Sequence, residues 1–155
     1  MTQRLDYRAH APAGMKALDG VSAYVAQCGL DKTLIDLVYL RASQINGCAY
    51  CIDLHTRDLL AAGVAIEKVT LVPAWREGGE LFTDREKAAL GWAESVTRIA
   101  ETGAPDAAYA AAAAHFSEKE LADLTIVIAL MNAYNRIAVS FRATPKSVKA
   151  AGRAA

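Results

Sequence analysis

The chain has 155 residues, of which 54% are hydrophobic, so it is long and apolar enough to form the core of one domain. Its 17 Lys and Arg balance its 17 Asp and Glu, and this lack of net charge argues against the basic face of a nucleic-acid-binding protein. An odd number of cysteines, three, argues against a secreted disulfide framework and favours a reducing cytoplasm. We therefore predict a cytoplasmic protein that binds no nucleic acid.

Neither secretion nor a membrane partner is predicted. The segment Met1–His10 has no apolar region of the kind that signal peptides carry. The longest apolar stretch, Leu124–Met131, is far shorter than the roughly 20 residues that cross a bilayer. Because the hydrophobic fraction is high for one small domain, part of it is expected to be buried between subunits of a homo-oligomer.

The first half of the chain predicts helices, because Ala is abundant and no segment alternates apolar and polar residues over the length of a strand. Asp31 is a good N-cap for the second helix, and Asn46-Gly47 interrupts the pattern after it. Gly63 follows the third helix, and Pro73 closes the fourth. The four helices are predicted at residues 13–27, 31–45, 48–62 and 66–72.

The second half of the chain also predicts only helices, over residues 83–100, 106–115 and 117–140. Thr83 with Glu86, and Ser117 with Glu120, have the spacing of capping boxes. The polar, Ala-rich tail after Pro145 is expected to fray. The sequence therefore predicts an all-α fold.

One cluster of residues indicates chemistry. Cys48, Cys51 and His55 are spaced at i, i+3 and i+7, so on a helix that turns about 100° per residue they share one face. Both cysteines fall in the first turn after Asn46-Gly47, where free N–H groups and the helix dipole favour an anion and lower the pKa of a thiol. His55 can accept a thiol proton directly or through a water. The pattern predicts an activated dithiol.

Two other interpretations of the cluster remain open. The two cysteines and His55 supply three zinc ligands, and Cys28 or Asp36 could supply the fourth, although no second Cys/His pair at matching spacing is present. Alternatively, the cysteines are small buried hydrophobes and His55 is a hydrogen-bonded core residue. Covalent haem attachment is excluded, because it needs His directly after the second cysteine and position 52 is Ile.

The segment from Asp36 to His55, DLVYLRASQINGCAYCIDLH, resembles the core motif of alkylhydroperoxidase D-like (AhpD-like) proteins of the carboxymuconolactone decarboxylase superfamily. The resemblance continues in Trp75-Arg76 and in residues 83–90 and 132–138, and it covers residues 15 to 145 or so. It implies a compact multi-helix domain over residues 1–155, with the Cys-x-x-Cys at the N-terminus of a central helix. It also implies homo-oligomers, often trimers or hexamers.

The resemblance assigns roles to four residues. Cys51 would be the peroxidatic cysteine, Cys48 the resolving cysteine and His55 the relay base. The glutamate of the family falls at Asp36, which is one methylene shorter, so its contact with His55 is expected to need a backbone shift or a bridging water. The implied function is a thiol-dependent peroxidase (peroxiredoxin activity) that reduces hydrogen peroxide or alkyl hydroperoxides, with an external dithiol as electron donor and no bound cofactor.

The difference at Asp36 also supports a function of another class, a redox-sensing or structural oligomer whose dithiol is oxidised with little turnover. A zinc-binding module is the third alternative. Lactone decarboxylation is disfavoured, because decarboxylases of this superfamily generally lack the paired cysteines.

Overall fold

Helices form all of the regular secondary structure in the computed structural model, which describes residues 2–154. The α-helices are α1 (Tyr7–His10), α2 (Pro12–Val25), α3 (Lys32–Ile45), α4 (Ala49–Ala61), α5 (Ile66–Leu71), α6 (Asp84–Thr97), α7 (Ile99–Thr102), α8 (Asp106–Ala113), α9 (Glu118–Ser140) and α10 (Lys146–Ala154). Two 3-10 helices, Val72–Glu77 and Gly79–Leu81, connect α5 to α6. The prediction of an all-α fold is confirmed.

The capping residues that the sequence indicates begin their helices as predicted. The side chain of Asp31 accepts a hydrogen bond of 3.0 Å from the backbone N–H three residues later. Thr83 and Glu86 form a complete capping box at the start of α6, and Ser117 and Glu120 form another at the start of α9. Local hydrogen bonding therefore fixes where these three helices begin.

Helix α3 is the centre of the fold, because it packs against α4, α6 and α9. Its apolar side chains contribute to each of the three buried clusters: Val38 to the first, Leu37 and Leu40 to the second, and Ala42 to the third. The third cluster also contains Cys48 and Cys51. Packing of α3 thus sets the position of the dithiol relative to α9.

The prediction that Pro73 closes the fourth helix is confirmed to within one residue. Helix α5 ends at Leu71, and the 3-10 helix that follows, Val72–Glu77, runs through Pro73. Proline is tolerated there because the first turn of a helix needs no N–H from it. Phe82 and Trp75, both buried, hold this connection against the second cluster.

The expectation that the tail after Pro145 frays is wrong. The tail forms α10, which packs against α4. The hydroxyl of Ser147 and its backbone N–H both donate to the carboxylate of Asp53, and Arg57 donates to the Ser147 oxygen. The Ala, Lys and Arg residues of the tail favour a helix, and side-chain hydrogen bonds hold the start of this helix against α4.

Within residues 2–154, helix α9 is the one helix long and apolar enough to cross a membrane by length and composition alone. Half of its most apolar window is buried inside the protein, as in the core helix of a folded domain.

Candidate active site

The turn between α3 and α4 places the two cysteines. The backbone N–H of Gly47 donates to the carbonyl of Gln44, and that of Cys48 donates to the carbonyl of Ser43 at 2.9 Å. This is the hydrogen-bond pattern of a Schellman motif, which needs a left-handed residue at Gly47, where φ is +65°. The Asn46-Gly47 pair therefore ends α3 and brings Cys48 to the N-cap position of α4.

Cys48 and Cys51 lie side by side at the beginning of α4. Cys48 is the N-cap residue, and its Sγ accepts a hydrogen bond of 3.4 Å from the backbone N–H of Cys51. The two sulfur atoms are 2.6 Å apart, and both side chains are buried as free thiols. A disulfide bond has a length of about 2.05 Å, so the pair can be oxidised with a small movement.

The two thiols are hydrogen-bonded, and this bond lowers the pKa of Cys48 and raises the pKa of Cys51. The hydrogen bond from the thiol of Cys51 outweighs burial and lowers the pKa of Cys48 to about 7, with a further contribution from the backbone N–H of Cys51. The same hydrogen bond, together with burial, raises the pKa of Cys51. The dithiol is therefore expected to lose its first proton near neutral pH as a pair.

His55 lies two turns into α4 and contacts Asp36 of α3. Nδ1 of His55 is 3.3 Å from Oδ1 of Asp36, at the long end of the hydrogen-bond range, and both side chains are buried. The shorter aspartate thus reaches the ring directly, and the expected backbone shift or bridging water is not needed, because α3 and α4 pack closely. The ring of Tyr39 lies against that of His55, with 4.9 Å between their centroids.

Asp36 has a second partner that the sequence analysis did not identify. Nζ of Lys32 is 2.6 Å from its other oxygen, Oδ2. Burial alone would raise the pKa of Asp36, but the hydrogen bonds from His55 and Lys32 outweigh it and lower that pKa. The carboxylate therefore stays charged at neutral pH and can stabilise a protonated His55.

Asn135 of α9 is a site residue whose role the sequence analysis missed. Its side chain is fully buried, and its amide donates to the hydroxyl of Ser43 at 3.0 Å. Asn46 donates to its oxygen at 2.9 Å. Hydrogen bonding to the Asn135 amide lowers the pKa of both Cys48 and Cys51. The one signal in the sequence is an amide within an otherwise apolar helix face.

Cys51 and His55 line the same cavity, of about 270 Å³. Aromatic side chains form much of its wall, and the short N-terminal helix α1 closes one side. The other wall residues include Tyr7, Tyr39, Tyr50, Met131 and Tyr134. We call this space the first cavity. Arg8, Asp19 and Ser22 also line it, so the wall is partly polar.

Comparison with known proteins identifies the family. The model of the carboxymuconolactone decarboxylase family matches residues 11–95. The uncharacterized protein YdfG of Bacillus subtilis (strain 168) is 36% identical over 140 residues, which are 90% of this chain and 95% of YdfG. This chain belongs to the carboxymuconolactone decarboxylase family.

Within the carboxymuconolactone decarboxylase family, the chain is AhpD-like. A crystal structure of an Agrobacterium tumefaciens protein of unknown function, suggested to be the antioxidant defence protein AhpD, has a TM-score of 0.89 and 42% identity, covering 93% of this chain and 98% of that one. The alkyl hydroperoxide reductase AhpD of Rhodopseudomonas palustris (strain BisB18) is 51% identical over 41 residues, 26% of this chain and 23% of that protein. The predicted family resemblance is confirmed, and the family includes enzymes.

Among the described residues, the zinc ligands considered from the sequence do not form one four-ligand group. Cys28 packs against the first cluster, away from the dithiol. Within residues 2–154, the ligand atoms that converge to within 4.8 Å of one another belong to Asp36, His55 and Asp58. The two cysteines are not part of this group. One of its members, Asp36, already forms an ion pair with Lys32.

Proposed function

We propose that the protein is a thiol-dependent peroxidase that reduces hydrogen peroxide or alkyl hydroperoxides with its Cys48–Cys51 dithiol. The observation that carries the proposal is the pair of free thiols, 2.6 Å apart at a helix N-terminus, one of which shares a cavity with His55. Its similarity to an alkyl hydroperoxide reductase supports the same conclusion. The electron donor in this proposal is an external thiol, and no bound cofactor takes part.

Cys51 is the nucleophile in this mechanism because it faces the first cavity. The Cys51 thiolate attacks one peroxide oxygen, the O–O bond breaks, and the departing alkoxide takes a proton to leave as an alcohol. Cys51 is then a sulfenic acid. The Cys48 thiolate attacks the Cys51 sulfur, the S–O bond breaks, and hydroxide takes a proton to leave as water. Two external thiols restore the dithiol, so one hydroperoxide is reduced for each pair of thiols oxidised.

The mechanism needs a proton transfer, because the thiol with the lowered pKa is not the one that lines the first cavity. The lowered pKa belongs to Cys48, whereas the sulfur that faces the first cavity with His55 belongs to Cys51. Cys51 becomes the nucleophile when its proton passes to Cys48 or to His55. The Asp36 carboxylate orients the imidazole and stabilises its protonated form. His55 then returns the proton to the leaving oxygen.

Coupled turnover with hydrogen peroxide and with cumene hydroperoxide tests this function. Cys51→Ser is expected to abolish turnover, and Cys48→Ser is expected to be oxidised once without further cycles. Cys28→Ser is the matched control, because Cys28 packs in another cluster, and it should keep wild-type turnover. Turnover that persists in Cys51→Ser would overturn the assignment of the nucleophile.

A redox sensor with little turnover is the second candidate function. The observation that favours it is the short contact of Lys32 with Asp36, 2.6 Å against 3.3 Å for His55, because Lys32 competes for the carboxylate. Rapid disulfide formation after one equivalent of peroxide, combined with negligible steady-state turnover in the presence of thiols, would select this function over the peroxidase.

A cytoplasmic homo-oligomer, a trimer or a hexamer, is part of the proposal. Apolar side chains on the surface of the single chain support subunit contacts. They include Tyr24, Ile66, Ile99 and Tyr109. Sedimentation velocity gives the mass of the assembly, and a monomer at micromolar concentration would contradict this part.

A further inference from the structure

The dithiol lies between two cavities. The first cavity contains Cys51, whereas a second cavity, of about 360 Å³, contains Cys48. Only Tyr50 and Ala138 belong to the walls of both, among the residues that line them. The peroxide half of the proposed reaction uses the first cavity alone. Cys48 therefore borders a space other than the one that Cys51 borders, although its own side chain is buried.

The second cavity has a predominantly apolar wall with one charge. Its outer wall is formed by the C-terminal part of the chain, through Thr144, Pro145 and Val148. Of the described residues that line it, Arg142 is the one with a cationic side chain. A molecule that fits this space is an aliphatic compound with a negative group near the Arg142 guanidinium.

Arg142 occupies a position at which glycine is the usual residue. It follows the C-cap of α9, and its φ is +54°, in the left-handed region that costs an L-residue conformational energy. The chain nevertheless carries a long cationic side chain there. A residue in a strained conformation beside a cavity indicates a function for its side chain.

We propose that the second cavity is the binding site of the reducing thiol, a small aliphatic thiol that carries a carboxylate, and that this thiol attacks Cys48. The inference rests on the proposed dithiol chemistry. It adds to that chemistry a second entrance, so that the peroxide and the reductant do not compete for the same space.

The reductive step balances without a further reactant. The reductant thiolate attacks Sγ of Cys48, the bond between Cys48 and Cys51 breaks, and the electron pair leaves on Cys51, which takes a proton. A second thiolate attacks the sulfur of the reductant in the mixed disulfide on Cys48. The Cys48 thiolate leaves, and the reductant is released as its symmetric disulfide. Two thiols are oxidised and one protein disulfide is reduced.

Two tryptophan variants separate the two entrances. Val148, exposed on α10, lines only the second cavity, and Ser22, exposed on α2, lines only the first. Oxidation is followed with cumene hydroperoxide on the reduced protein. Reduction is followed with 3-mercaptopropionate on protein whose disulfide was formed with diamide, so that it needs no peroxide activity. Both are quantified by alkylation and mass spectrometry.

Val148→Trp is expected to slow disulfide reduction by about tenfold and to leave peroxide oxidation unchanged, because the indole narrows one entrance. Ser22→Trp is expected to do the reverse. If each variant slows both steps, or if neither slows either, the second entrance is contradicted. A third outcome separates this inference from the proposed function. If cumene hydroperoxide oxidises neither the wild type nor the variants, but Val148→Trp still slows disulfide reduction, the peroxidase function is contradicted and the second entrance is supported.

A charge series tests the class of thiol. On wild-type protein, 3-mercaptopropionate is expected to react faster per thiolate than cysteamine, which is cationic. Arg142→Gly, which suits the left-handed conformation, should reduce that preference by about threefold, the size of one exposed charge pair. Arg142→Lys should retain most of it. An unchanged preference in Arg142→Gly would overturn the carboxylate assignment.

Discussion

Asp36 and Glu94 are both buried carboxylates on helices that pack against each other, but their partners differ. Glu94 accepts hydrogen bonds from Arg41 at 2.8 Å and Trp75 at 3.0 Å on one oxygen, and from Arg76 at 2.6 Å on the other. Burial alone would raise the pKa of Glu94, but these donors outweigh it and lower that pKa. The partners of this carboxylate are two guanidinium groups and an indole N–H, all of which only donate hydrogen bonds.

Asp36 instead shares its charge between Lys32, on the surface, and His55, whose ring faces the first cavity. An imidazole can gain or lose a proton near neutral pH, whereas a guanidinium or an indole cannot. The comparison teaches that burial of a carboxylate does not indicate its role. The role follows from whether a partner can titrate and from whether that partner reaches a substrate. Glu94 is expected to stabilise the fold, and Asp36 is expected to serve the reaction.

The largest expected effect is the loss of stability in Glu94→Gln. The neutral amide leaves Arg41, which is mostly buried, without its counter-charge. We expect the free energy of unfolding in urea to fall by about 3 kcal/mol, as when one partner of a buried ion pair is removed. Turnover per folded molecule should be unchanged, and a loss of turnover greater than the loss of folded protein would break the comparison.

Glu94→Gln should also change how the free energy of unfolding depends on pH in acid. Because the pKa of Glu94 is lowered in the folded protein, its contribution to stability is complete above the ordinary glutamate pKa of about 4.3 and is lost as the pH falls through the lowered folded value. Urea unfolding of Glu94→Gln should therefore depend less on pH below pH 4 or so than unfolding of the wild type.

The second effect is the loss of turnover in Asp36→Asn. The amide keeps the shape of the side chain but cannot stabilise a protonated His55, so turnover is expected to fall by about a hundredfold. The free energy of unfolding should change by less than it does in Glu94→Gln. Asp36→Glu restores the residue of the family and should recover turnover. If Asp36→Asn lowers the free energy of unfolding but not turnover, the Asp36 carboxylate has the same structural role as that of Glu94.

The third effect concerns the pH at which the dithiol ionises. Asn135→Leu removes an amide that lowers the pKa of both thiols. We expect the first apparent pKa of the pair, followed by thiolate absorbance, to rise by about one unit, since a hydrogen bond to a charged group contributes roughly that much. Turnover at pH 7 should then fall and should recover by pH 8.5. An unshifted titration in folded protein would show that Asn135 only packs.

The sequence predicts the local parts of the site well and the long-range parts poorly. The Schellman turn at Gly47 and the N-cap at Asp31 use hydrogen bonds between residues a few positions apart, so their residue types indicate them directly. Helix periodicity also places Cys51 and His55, four residues apart on α4, beside the same cavity. The predicted common face does not extend to Cys48, because it is the N-cap residue with an extended backbone and lines the second cavity.

Contacts between helices are different, because they depend on how the core packs. Asn135 meets Ser43 across 92 positions of the chain, and Arg41 meets Glu94 across 53. No local spacing encodes either pair. The order of the tail has the same origin, since Ser147 is held by Asp53, a residue 94 positions away.

The smallest expected effect is that of Lys32→Ala, and it sharpens the comparison most directly. Lys32 is three-quarters exposed, so its ion pair with Asp36 should contribute at most about 0.5 kcal/mol to stability. Without the ammonium group, the Asp36 carboxylate is free to interact with His55 alone. If proton transfer through Asp36 and His55 limits the peroxidase, turnover should then be about twofold faster, in a steady-state assay at pH 7.

Lys119→Ala, which removes the equivalent i,i+4 pair with Asp123 on α9, is the matched control and should leave turnover unchanged. If Lys32→Ala slows turnover instead, the lysine positions Asp36, and the carboxylate depends on a fixed cation just as Glu94 does.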